Sequence, residues 1–101
     1  MSVKISEKQA NVIYRAWKEG KIEISEHALE MIYYYTEHEF GCRNNCFDMY
    51  HSLRNAVGSI IRNELKSAQR SINSFMYSLN DNERLDLLNE KMHEKLKLMQ
   101  S

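Results

Sequence analysis

The sequence predicts an all-α protein, a small antiparallel bundle of about four helices with one long central helix at about 46–79. Three observations lead there. The chain has no proline and only three glycines in 101 residues, and proline is the main helix breaker while glycine is the usual helix terminator. Apolar residues recur in steps of three and four through Met49, Leu53, Val57, Ile60, Ile61, Leu65, Ala68, Ile72, Phe75, Met76 and Leu79, the pattern of a helix with one buried stripe. Ser6 with Gln9 and Asn80 with Glu83 have the spacing of a capping box, which marks helix starts.

The first helix follows Ser6, with Ala10, Ile13, Ala16 and Trp17 at helical spacing and Gly20 in place to end it. Lys21 to Ile24 alternates polar and apolar residues, a run too short to make a sheet alone. Ser25 is a good N-cap for a second helix that runs to about Phe40, with Gly41 as its terminator and Arg43 to Asn45 as a polar connection. The long third helix would span about 50 Å at the α-helical rise. Within it, Gly58 beside Ala56 and Ser59 costs about 1 kcal/mol relative to alanine but permits a close helix crossing, the alternative being a kink. Leu85, Leu88, Met92, Leu96 and Met99 form the apolar stripe of a fourth helix. Short connections make neighbours antiparallel. Helix two is therefore expected along the first half of the long helix and helix four along its second half, with Ile13 and Trp17 of helix one filling the remaining groove.

A chain of this length is expected to be a single domain spanning 1–101, because two halves would each be too small for a stable core. With 14 basic and 14 acidic residues, its overall charge gives no pull toward nucleic acid or an anionic membrane. The start MSVKISEKQA lacks the apolar core of a secretory signal, and no run approaches the ~18 apolar residues of a membrane helix. Two cysteines are too few for the disulfide framework of a secreted domain. Together these point to a cytoplasmic protein.

Two surfaces and one residue cluster invite a functional reading. Tyr33, Tyr34 and Tyr35 are consecutive, and at ~100° per residue they cannot all face one interior. With Ile61, Phe75 and Tyr77 they suggest apolar area left over for an interface, although tyrosines also border cores with only their hydroxyls in water. Residues 25–41 carry Glu26, Glu30, Glu37 and Glu39 with no lysine or arginine, a local charge of minus four; residues 42–75 carry five basic against two acidic side chains, plus three. Arg62, Lys66 and Arg70 are spaced by four, which on one helix makes a row able to meet successive phosphates. Asn63, Gln69 and Asn73 lie near it as possible donors to backbone or bases. A solvated outer face or pairing with the acids of neighbouring helices accounts for the same row.

His38, Cys42, Cys46 and His51 flank the connection between helices two and three. Two thiolates and two imidazoles match a tetrahedral zinc site, but the spacing is not diagnostic; ordinary reduced thiols explain the cysteines as well, and a Cys42–Cys46 disulfide ranks below zinc because intracellular disulfides are uncommon. The steps Glu90-x-x-His93 and Asp48-x-x-His51 resemble half of a di-iron carboxylate site; bridging carboxylates such as Glu30 and Glu64 would have to face them. A cysteine–histidine nucleophile pair lacks an orienting third group, and there is no glycine-rich phosphate loop. Helices one and two make a poor helix-turn-helix, since the connection is long and the would-be recognition helix is acidic.

The sequence therefore favours a non-enzymatic interaction or regulatory module, self-associating as a homodimer or binding another protein. Size and composition would suit a small phage-type inhibitor or regulator. The alternative is a nucleic-acid-binding regulator that uses the basic row; a zinc-stabilised domain ranks below it. No cofactor other than zinc and no small-molecule substrate is implied.

Overall fold

The computed structural model describes residues 4–39 and 46–99, with side chains described for 4–39 and 48–84. Four helices follow in order: α1 at Glu7–Lys18, α2 at Glu26–Glu37, α3 at Cys46–Ile61 and α4 at Leu65–Met99, with no strand among the described residues. It is the all-α, four-helix bundle that the periodicity predicts. The partition of its second half differs.

The capping box at Ser6 forms as the sequence implies: Gln9 N–H donates to the Ser6 hydroxyl and Ser6 N–H to the Gln9 side chain, both at 3.1 Å. Gly20 adopts φ +75°, with Lys21 N–H donating to the Ala16 carbonyl at 2.8 Å and Gly20 N–H to Trp17 at 3.0 Å, the two bonds of a Schellman terminus. Ser25 caps α2 by accepting from Ala28 N–H at 3.2 Å. α2 stops at Glu37, short of Phe40, because His38 is already extended. Thr36 also turns its hydroxyl back onto the Tyr33 carbonyl at 2.6 Å. Gly41 and the polar connection lie outside the described residues.

The single rod expected over 46–79 is broken at Arg62–Glu64. Asn63 takes φ +60°; its N–H donates to Ile60 and Glu64 N–H to Ser59, the same terminal motif that closes α1, with asparagine in the left-handed position that glycine usually occupies. The chain then reverses and α4 packs back along α3. Periodicity could not reveal this break, because the step of four from Ile61 to Leu65 keeps helical spacing across it. The capping box expected at Asn80 does not start a helix, since α4 continues through it. The long helix is therefore α4, 35 residues or about 52 Å, in a molecule 57 Å long.

Packing order also differs from expectation: α1, not α2, lies along α3, and α2 packs on α1. Each helix contributes to one core, with Ile13 from α1, Ile32 from α2, Met49 and Leu53 from α3, and Ile72, Phe75 and Leu79 from α4 all at 1% exposure or less. The alternation at Lys21 to Ile24 is used as a strand would use it. Ile22 and Ile24 point into the core, and the outward Glu23 pairs its backbone with the side-chain amide of Gln69, N–H to Oε1 at 2.7 Å and Nε2 to the carbonyl at 2.9 Å. A glutamine on α4 thus stands in for the missing neighbouring strand.

α3 runs unbroken through Gly58, which marks no close helix crossing. A Cβ there would meet only the Arg62 guanidinium, at 3.2 Å, the end of a flexible and largely exposed side chain. Gly58→Ala is accordingly expected to raise stability by about 0.5–1 kcal/mol through helix propensity, read as a higher urea midpoint; a lower midpoint would show that Arg62 cannot move aside.

Candidate functional site

The largest exposed apolar side chains among the described residues are Tyr33, Tyr34, Ile61 and Tyr77. Four of the six residues read from sequence as interface therefore do lie on the surface. The other two do not: Tyr35 is half-buried against the core, and Phe75 is fully buried. Phe75 lies on the same stripe of α4 as Ala68, Ile72 and Leu79, so helical register turns it inward while Tyr77, two residues on, faces out at 75% exposure.

Tyr33 and Tyr34 belong to two aromatic clusters, one shared between α1 and α2 and the other on α2 and its C-terminal cap. Tyr14 on α1 lies 5.8 Å from Trp17 and 6.2 Å, edge to face, from Tyr33, measured between ring centroids. On the far side of α2, Tyr34 packs on Tyr35 at 5.3 Å and stacks on His38 at 4.3 Å. Lys18 holds its ammonium 5.7 Å from the Tyr14 ring centroid, so the cluster shared by α1 and α2 already receives one cation from its own chain. Packing beside α1 takes water from the Tyr33 hydroxyl and raises its pKa above the ordinary 10.0, and neighbouring Tyr14 adds to the rise. A raised folded-state pKa contributes stability below the unfolded value that is lost as pH climbs through the folded one. The wild type should therefore lose more stability than Tyr33→Phe between about pH 9 and about pH 11, measured by chemical denaturation; equal losses would contradict the shift.

The α2 side of the aromatic residues is acidic. Glu26, Glu30, Glu37 and Glu39 are all exposed, and none forms an ion pair among the described residues. Glu26, Glu30, Tyr33 and Glu37 follow one another in steps of four, three and four, which places them on one side of α2, opposite the buried Ala28 and Ile32. Sequence reasoning found α2 but missed the contribution of α1. The signal was present in Tyr14 and Trp17, three apart and hence neighbours on a helix surface.

The basic row is not the single-helix row that the spacing predicted. Arg62 lies in the turn, where its guanidinium rests over Gly58 and its Nε is 3.4 Å from the Glu64 carboxylate. Lys66 and Arg70 remain one turn apart on α4, both exposed, beside an open hollow of about 410 Å³ lined by Glu64 to Ser67 and Arg70. Asn63 forms the turn, and Gln69 is engaged with the Glu23 backbone and, at 2.9 Å, with Asn73. Gln69 is thereby committed to the fold, while the Asn63 and Asn73 side chains remain exposed.

Of the four residues proposed for zinc, Cys42 and the Cys46 side chain lie outside the described residues; His38 is exposed and stacked on Tyr34, and His51 is exposed with Tyr50 beside it. Among the described residues no group of three or more histidine, cysteine, aspartate or glutamate side chains could hold a metal ion. No described helix is long and apolar enough to cross a membrane. Comparison with protein-family models, with curated proteins and with solved structures finds no match to this chain.

Proposed function

We propose that this protein is a small non-enzymatic interaction module whose docking surface is the aromatic and acidic face of α1 and α2. One observation carries this reading: Tyr33 and Tyr34 are 38% and 49% exposed, on a segment, residues 26–39, that bears four exposed glutamates with no ion-pair partner among the described residues. Tyrosine is enriched in the centres of protein interfaces. Aromatic rings flanked by carboxylates attract arginine and lysine side chains through ring faces and charge together. The partner that this chemistry selects is a cationic protein surface.

The only tryptophan of the chain, Trp17, belongs to this surface and reports on it. An oligoarginine peptide added at low salt should change Trp17 fluorescence saturably. The double variant Glu30→Lys, Glu37→Lys should lose the response, and an oligoglutamate peptide should give none. A wild-type protein blind to the cationic peptide would refute the reading.

A further inference from the structure

We propose that the cationic surface is supplied by a second copy of this chain, through the outward side of α4 near the α3–α4 turn. The inference rests on the docking surface assigned above and names its occupant. Three observations lead to it.

The chain is neutral overall, with 14 charges of each sign, yet the signs are segregated. The outward side of α2 is acidic, while Arg54, Lys66 and Arg70 are exposed on α3 and α4 and form no ion pair among the described residues. Opposite patches on one neutral molecule attract each other between copies, and such complementarity sets register and partner choice.

Spacing matches as well. Lys66, Arg70, Asn73 and Tyr77 follow one another in steps of four, three and four, as Glu26, Glu30, Tyr33 and Glu37 do. Both series lie on the exposed sides of their helices, each spanning about 16 Å. Laid side by side, they set carboxylates and a tyrosine ring against an ammonium, a guanidinium and a second tyrosine.

Finally, α4 offers room. The hollow beside Lys66 and Arg70 and a smaller one of about 170 Å³ at Tyr77, Asn80, Asp81 and Arg84 are both open to solvent, and side chains of an incoming α2 fit such hollows. Each copy carries one patch of each kind, so two copies can satisfy both patches reciprocally in a closed pair.

The test uses two charge-reversed full-length proteins, one with Glu30→Lys and Glu37→Lys, the other with Lys66→Glu and Arg70→Glu. Light scattering after size exclusion at low salt is expected to show the wild type as a dimer, or as larger concentration-dependent species if the same pairing stays open. Added salt should dissociate it. Each variant alone should be monomeric, with helical circular dichroism like that of the wild type. An equimolar mixture of the two should associate again, because each now carries the complement of the other. A monomeric wild type at high concentration, reversed variants that still associate alone, or a mixture that stays monomeric would each overturn the pairing. So would a basic patch that leaves the protein monomeric while binding a DNA duplex with steep salt dependence. A monomer whose Trp17 still answers the oligoarginine peptide would leave the docking surface standing and remove only this occupant.

Discussion

Phe75→Ala should destabilise the fold by about 3–5 kcal/mol, the usual cost of emptying a buried phenylalanine site. Phe75 is the largest fully buried side chain among the described residues. It sits on α4 between Ile72 and Leu79, themselves buried, so the ring occupies the middle of the stripe that α4 turns toward the core. Truncation removes both its transfer free energy and the contacts of the cavity wall. A domain of this size has a net stability on the order of 5–15 kcal/mol, so the loss is at least about a fifth of the total. The midpoint of thermal unfolding, followed by circular dichroism, should fall on the order of 15 °C. Ser74→Ala is the control. One residue away and exposed, it should move stability by no more than about 0.5 kcal/mol. Comparable losses at the two positions would mean that α4 is rotated from the register described.

Ile5→Ala should cost about 2–4 kcal/mol, a large effect for a residue ahead of the first helix. Ile5 is 1% exposed, and its N–H donates to the Tyr35 carbonyl at 3.0 Å. That carbonyl belongs to the last turn of α2, where no intrahelical donor reaches it. The side chain fills the core while the backbone closes a helix end, so the residue before the capping box clasps α1 to α2. Guanidinium unfolding should show the lower midpoint, and hydrogen exchange at residue 5 should accelerate once the shorter side chain no longer holds the segment down. Lys4→Ala, at an exposed position, should do neither. An unchanged midpoint for Ile5→Ala would place the N-terminal segment outside the core.

Helix existence was legible where side chains repeat and caps follow local rules. Ser6, Gly20 and Ser25 act where their chemistry places them, because a cap is decided within four residues. The break at Asn63 was not legible from periodicity, since apolar spacing survives a reversal of direction when the turn inserts three residues between Ile61 and Leu65. The composition of the turn held the clue: Arg62, Asn63 and Glu64 are consecutive polar residues around an asparagine, the residue after glycine that most readily takes the left-handed conformation. Ile61 shows the consequence. Counted in the stripe of a continuous helix, it is 69% exposed at the end of α3.

The interface was half legible for a similar reason. Three tyrosines in a row guarantee that one faces out, but which one depends on the neighbour that α2 packs against. The partner is α1, brought there by a turn whose strand-like pairing rests on Gln69, 46 residues away. Contacts at such separation belong to the tertiary structure and leave no local trace. The basic row dissolved because its first member fell in the turn.

The three-residue turn between α3 and α4 also favours one order of assembly. Closing so short a loop demands little chain entropy, and a pair of helices joined this way can form and dissolve on the microsecond scale. The Glu23–Gln69 and His27–Glu83 bonds reach across 46 and 56 residues of sequence and must wait for the hairpin to present their α4 partners. On this ground the N-terminal half is expected to settle late, as a cover on a hairpin already formed.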